Sequence, residues 1–450
     1  MQLTINDILK VRKADLRLDG LTVITGENDS GKSTIGKMLF TLIKTLANTN
    51  QEVEARRAAL LKKHYESLSR RMRSARMQDY AGYRELFPIR ATAKIDDLLS
   101  GTLKFETYAK DIFAFVNKIQ MSPRNKALVE KDLSNIYICL ENKDNRAAVI
   151  SAEMTYFIES EFMNNVASFG SESSSVRFQV NPDDDSSILQ IDLSGNQVEQ
   201  VKIGHNDLLE DATYVESPLY LHLLDTIMMS STYREVVAAG LPFVSVRAMA
   251  SYHIKDLAEK ILAMRFLSGG KSQISIDNLS TVMGGRFVFD KDSRGISFEK
   301  AEQKIHPLNV ASGIKSFGLV QMLLQTEAIS PNRLLIWDEP ENHLHPQWQI
   351  EFARLIVDLS DAGIPVLIST HSPYFVQGIR YFSAGKKVEK VVKYYLAEPT
   401  EDGRSDFRDV THDLNAVFSK LALPLNNIMN VDAQREETLE SRTDDTRGTL

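Results

Sequence analysis

The sequence predicts an α/β protein built on a parallel sheet, and three short apolar runs predict it. Residues 21–25, 332–337 and 364–370 each read as a buried strand, and each is followed at once by polar residues suited to chemistry. Doubly wound sheets gather ligands at the carboxyl ends of such strands, so the three termini are expected to meet at one edge. A chain of 450 residues, 43% hydrophobic and 25% charged, can bury an ordinary core and exceeds the usual size of one domain.

The first strand runs into Gly26-Glu27-Asn28-Asp29-Ser30-Gly31-Lys32-Ser33-Thr34, and an apolar-periodic helix is predicted over 35–46. Backbone N–H groups that wrap a phosphate chain need glycines where the main chain must bend unusually and come close, as Gly26 and Gly31 allow. Asn28 and Ser30 complete the same loop. Lys32 is placed to neutralise the β- and γ-phosphates, the Ser33 hydroxyl to ligate Mg²⁺, and Thr34 to add a phosphate contact beside the positive end of the helix dipole.

The second strand ends in Asp338-Glu339-Pro340. An acidic pair at the end of a buried strand is costly unless a cation meets it. Asp338 would hold Mg²⁺, and Glu339 would orient and polarise a water for in-line attack on the γ-phosphate. The third strand delivers His371-Ser372-Pro373, and a histidine there can bond the γ-phosphate or the attacking water.

Net charge is −7 with a pI near 5.8, so the surface offers no general footprint for a polyanion and any nucleic-acid contact must be local. The single cysteine, Cys139, excludes an internal disulfide and a multi-cysteine zinc site. Residues 1–10 lack a signal-peptide pattern and no apolar stretch is long enough to span a bilayer, so a cytoplasmic protein without membrane contact is expected.

The phosphate loop lies near residue 30 and its partners beyond residue 300, so a large insertion must leave the nucleotide fold and return to it. Residues 1–45 and 285–425 are assigned to the nucleotide-binding head, and 46–165 to a helical insertion of several helices rather than one heptad coil. An antiparallel β subdomain follows over 166–217, with a hairpin around Asn181-Pro182-Asp183-Asp184-Asp185 and a closing strand at 212–216. Those aspartates read as a solvated turn more readily than as a metal site. Residues 218–284 are mainly helical, and 431–450 form a disordered tail. Within the insertion Arg56, Arg57, Lys62, Lys63, Arg70, Arg71, Arg73 and Arg76 form a basic helical stretch, either a grip for nucleic acid or a solvated face.

Lys32, the run Asp338-Glu339-Pro340-Glu341-Asn342-His343-Leu344-His345-Pro346 and His371 together resemble the ABC-type ATPase heads of SMC, RecF and OLD-like proteins. The continuation from Glu341 to Pro346 is most similar to the OLD-like branch. This resemblance implies a P-loop NTPase of ABC head type, with ATP and Mg²⁺ as cofactors. It also implies a homo-oligomer, at least a dimer, because a signature segment of one head touches the γ-phosphate held by another. Leu267-Ser268-Gly269-Gly270-Lys271 matches the transporter wording of that signature but precedes polar residues and a predicted hairpin over 286–298. Ala311-Ser312-Gly313-Ile314-Lys315 instead opens an apolar-periodic helix through residue 325, so Ser312, Gly313 and Lys315 are the residues expected to act in trans.

OLD-like nucleases add a Toprim domain, which needs a glutamate and an Asp-x-Asp pair. Beyond His371 a strand pair near 388–395, a short amphipathic helix near 414–423 and the polar tail are too little to supply one. The resemblance then points to ATPase subunits of bacterial anti-phage systems such as PARIS and Septu, which partner a separate nuclease or toxin. A RecF-like repair ATPase that binds DNA through the basic stretch, and a scaffold with little turnover, are the alternatives.

Overall fold

Alternation of apolar and polar residues writes most of the strands, while the three motif strands are buried almost throughout. The computed structural model describes residues 1–73, 79–88, 91–119, 121–141, 146–163, 165–168, 173–179, 181, 188–195, 197–203, 209–232, 249–266 and 276–421. The first strands are β1 (Gln2–Ile8), β2 (Val11–Arg17) and β3 (Leu21–Thr25), followed by β4 (Ser173–Gln179), β5 (Ile188–Ser194), β6 (Gln197–Ile203) and β7 (Asp211–Val215). Then come β8 (Arg286–Asp290), β9 (Gly295–Lys300), β10 (Gln303–Ile305), β11 (Arg333–Asp338), β12 (Val366–Thr370), β13 (Lys393–Pro399) and β14 (Ser405–Asp409).

One sheet runs in the order β6-β5-β4-β1-β2-β14-β13-β3-β12-β11-β7, and β10-β9-β8 form a second. The segment β13-β3-β12-β11-β7 is parallel. Burial on both faces, complete in β3 and β12, is what a parallel strand covered by helices requires. The β1, β4, β5 and β6 pairings are antiparallel, and there Leu3, Ile5, Val176, Phe178, Leu189 and Ile191 are buried while alternate positions are polar.

An α/β fold with a parallel segment that includes the strand before the phosphate loop is therefore present, with local differences from expectation. The strand at 212–216 does not close an antiparallel subdomain: β7 pairs parallel with β11, at the opposite end of the sheet from β4, β5 and β6. The predicted hairpin over 286–298 forms as β8 and β9. The C-terminal strand pair begins at Lys393 rather than near 388, because Val388 lies in the short 3-10 turn Lys387–Lys390. The loop residues 182–187, the 267–271 segment and the 431–450 tail lie outside the described residues.

The helix after the phosphate loop, α1 (Lys32–Arg71), is 40 residues long and outruns the expected 35–46. By compactness the chain divides into one unit of Met1–Thr45 with Met154–Leu450 and a second of Leu46–Glu153. In the larger unit the ring of Trp337 meets that of Phe352 edge-on at 5.0 Å, and Phe352 meets Phe317 at 5.1 Å, which ties β11 to the helices Pro346–Asp361 and Ser312–Gln325. The smaller unit is helical around Tyr65, Tyr83, Phe87, Tyr108, Ile112 and Ile136. Among the described residues no helix is long and apolar enough to cross a membrane.

Candidate active site

Parallel register brings the strand ends level, since Thr370 lies opposite Thr25 and Asp338 opposite Ser369. Between β3 and α1 the chain turns through Gly26 (φ 153°) and Gly31 (φ 87°), backbone conformations that favour glycine. A Cβ on Gly26 would stand 2.7 Å from that of Ala397. Asn28 and Ser33 are exposed and Thr34 is half-buried at the start of the helix. Lys32 is 4% exposed, and its ammonium donates to the carbonyls of Gly26 at 3.0 Å and Glu27 at 2.6 Å. Burial lowers its pKa, against the opposing pull of Glu339, Asp338 and Glu341. The Ser30 hydroxyl is buried without a partner.

Asp338 is 7% exposed and receives a hydrogen bond on each oxygen, from the Ser369 hydroxyl and from Tyr214 Oη at 3.1 Å. Glu339 adopts φ 47°, strain on the order of 1–3 kcal/mol for a non-glycine residue, and its N–H donates to Ser369 O at 2.9 Å. Its Oε1 lies 3.2 Å from His371 Nδ1 and its Oε2 accepts from Asn342 at 3.0 Å. The His371 bond, with help from Asn342 and Lys32 against burial, holds the Glu339 carboxyl at about 2. That same bond raises His371 above its ordinary value.

Glu341 stood in the acidic run without an assigned role, and its place is behind His371. It is 4% exposed, and its Oε1 accepts from Thr370 Oγ1 at 2.6 Å, His371 N at 2.8 Å and Ser372 N at 3.1 Å, which pins the turn after β12. Tyr214 and Ser369 carry no signal in the sequence. Neither lies in a recognisable motif, and only strand pairing brings them to Asp338.

Lys32, Asp338, Glu339 and His371 thus share one edge. They fit a magnesium-bound triphosphate: a lysine resting on its own loop carbonyls is free to exchange them for phosphate, and Ser30 Oγ is an unused buried polar group. Asp338 and Ser33 could hold Mg²⁺, whose other ligands are ordinarily phosphate and water. Among the described residues no cluster of three or more His, Cys, Asp or Glu could hold a metal by itself.

Ser312 and Gly313 are half-exposed at the start of their helix, and Ser312 Oγ donates to His343 O at 3.4 Å. A Cβ on Gly313 would approach Leu344 Cδ2 to 3.2 Å, so the segment rests on the loop that follows Glu339. Lys315 turns inward: it is 3% exposed, its ammonium lies 3.3 Å from His222 Nδ1, and burial lowers its pKa. In the basic stretch Arg71 bonds Asp132 at 2.6 Å while Lys62, Lys63 and Arg73 are exposed; Arg76 and the side chains of Arg56 and Arg57 lie outside the described residues.

A sheet with this order, carrying a phosphate loop, an acidic strand end and a strand-end histidine at one edge, defines a P-loop ATPase. A family model described as AAA ATPase domain matches residues 2–376, and the chain belongs to that family. No curated protein matches it. Among solved structures the chain is similar to the SMC head domain from Thermotoga maritima, at 10% identity and a TM-score of 0.35 over 91% of this chain and 98% of that one. It is also similar to an Smc head domain with an extended coiled coil, bound to the C-terminal domain of ScpA, derived from Pyrococcus furiosus. There the identity is 12% and the TM-score 0.38, over 95% of this chain and 98% of that one.

Proposed function

We propose that this chain is the ATP-hydrolysing subunit of an OLD-like anti-phage assembly, acting as a sensor or scaffold that controls a separate nuclease or toxin. The observation that carries hydrolysis is the Glu339–His371 contact at 3.2 Å, on the same edge as the buried Lys32. Lys32 leaves the Gly26 and Glu27 carbonyls to meet the β- and γ-phosphates. Bound Mg²⁺ supplies charge neutralisation on the phosphates. The bond to His371 keeps the Glu339 carboxyl ionised, so Glu339 is placed to orient a water through a hydrogen bond. His371, bonded to Glu339 and pinned by Glu341, presents its other ring nitrogen toward the γ-phosphate.

A neighbouring head completes the enclosure through Ser312 and Gly313, whose helix N-terminus suits an anion. Lys315 joins them only if it leaves His222. The defence role and its effector rest on the family resemblance of the Glu341 to Pro346 run. In a phage-challenge assay Lys32→Ala and Glu339→Gln are both expected to abolish protection, and full protection by Glu339→Gln would remove hydrolysis from the account. A RecF-like repair role is favoured by the exposed Lys62, Lys63 and Arg73, and strong stimulation of turnover by DNA would select it.

A further inference from the structure

Asp338 sits between two donors of different origin. Ser369 belongs to β12, which also leads to His371, but Tyr214 comes from β7, an end strand beside β11 that carries no nucleotide motif of its own. Tyr214 is 1% exposed, and its ring passes beneath the start of α1. The passage exists because residue 36 is glycine. A Cβ there would stand 3.0 Å from Tyr214 Cε2 and 3.7 Å from its hydroxyl, with Ile336 Cγ2 at 3.2 Å on the far side.

The ring is held from behind as well. His253 packs edge-on against it, with centroids 4.9 Å apart, and Phe40 closes the pocket at 6.1 Å from Tyr214 and 6.3 Å from His253. His253 is fully buried between two carboxylates. Its Nδ1 lies 2.5 Å from Glu161 Oε2, its Nε2 lies 3.0 Å from Glu216 Oε2, and its backbone N–H donates to Glu161 Oε1 at 2.8 Å. A carboxylate at each nitrogen makes both ring nitrogens donors. Three elements, the helix Arg146–Phe162, the end of β7 and the helix Tyr252–Leu262, therefore converge on one imidazole.

We propose that Tyr214 is a positioning residue for the metal-side carboxylate, and that His253, clamped by Glu161 and Glu216, keeps the phenol aimed at Asp338. With a donor on each oxygen the Asp338 carboxylate cannot rotate, and its remaining lone pairs keep one direction. Groups that hydrogen-bond a ligating carboxylate typically set metal affinity by about 10–100-fold. This inference rests on the reading of Asp338 as the Mg²⁺ residue.

The test compares wild type with Tyr214→Phe, which removes one oxygen and leaves the ring, in the full chain. Binding of a fluorescent ATP analogue is titrated with Mg²⁺ and measured separately in EDTA. Tyr214→Phe is expected to raise the Mg²⁺ midpoint by about 10-fold while leaving affinity in EDTA unchanged. His253→Gln should shift the midpoint in the same direction by a smaller factor. A merely structural phenol would lower Tm and leave the midpoint alone, and that result overturns the proposal. If Asp338→Asn removes the Mg²⁺ response and Tyr214→Phe does not, this inference falls while the site reading stands. If wild type binds nucleotide with the expected Mg²⁺ response, lost in part in Tyr214→Phe, yet never hydrolyses it, the hydrolytic reading falls and this one stands. Wild-type binding indifferent to Mg²⁺ would end both.

Discussion

Two buried lysines, each near the start of a helix, do opposite things. Lys32 is 4% exposed, rests on loop carbonyls, and feels three carboxylates across the strand ends. Lys315 is 3% exposed, and its ammonium lies 3.3 Å from a ring nitrogen of His222. Burial lowers the pKa of both, but only Lys32 faces a place where negative charge is expected to arrive. Sequence position at a helix start does not make an anion site; what faces the ammonium does.

The largest effect is expected at Lys32. Lys32→Ala is expected to cut ATP turnover by at least about 100-fold and to abolish tight nucleotide binding, measured by steady-state phosphate release and analogue titration. Glu339→Gln should lower kcat by on the order of 100-fold while nucleotide binding survives, because the amide keeps the shape but not the charge that orients water. Equal loss of binding in both variants would mean that the acidic strand end holds the nucleotide instead of acting on it.

Smaller effects separate the signature residues. Ser312→Ala is expected to reduce turnover of the assembled protein by about 10-fold with nucleotide affinity of isolated heads unchanged. Lys315→Met keeps the buried stem and removes an ill-matched amine, so turnover should stay within about threefold and stability within about 1.5 kcal/mol. A 100-fold loss in Lys315→Met would show that Lys315 leaves His222 to meet phosphate.

The smallest effect is one of sign. His371 is raised from 6.5, chiefly by its bond to Glu339, so its contribution to stability is present below pH 6.5 and is lost as pH rises through the higher folded value. His222 is lowered from 6.5 by burial and then by Lys315, so it costs stability as pH falls below 6.5. Tm differences between wild type and His371→Gln should shrink with rising pH. For His222→Gln the variant should gain on wild type as pH falls.

Much of the nucleotide edge was legible because its signals are local. A five-residue apolar strand, a glycine loop and a helix follow one another within 21–46, and the acidic pair and His371 each sit directly behind their strands. Ser312 could be preferred over the 267–271 candidate for the same reason, since an apolar-periodic helix follows it and it begins the helix Ser312–Gln325. Direction of pairing left no such trace. Asp211–Val215 has the same composition whether it closes an antiparallel hairpin or runs parallel beside β11.

A phosphate loop, an acidic strand end and a strand-end histidine can be read from the chain alone, because each depends on residues a few positions apart. That β7 brings Tyr214 to Asp338, that Glu341 pins His371 and that Lys315 meets His222 emerges only from the packing of distant segments. Those partners are separated by 124, 30 and 93 residues respectively, and no local preference of the chain encodes which distant side chain will fill a given space.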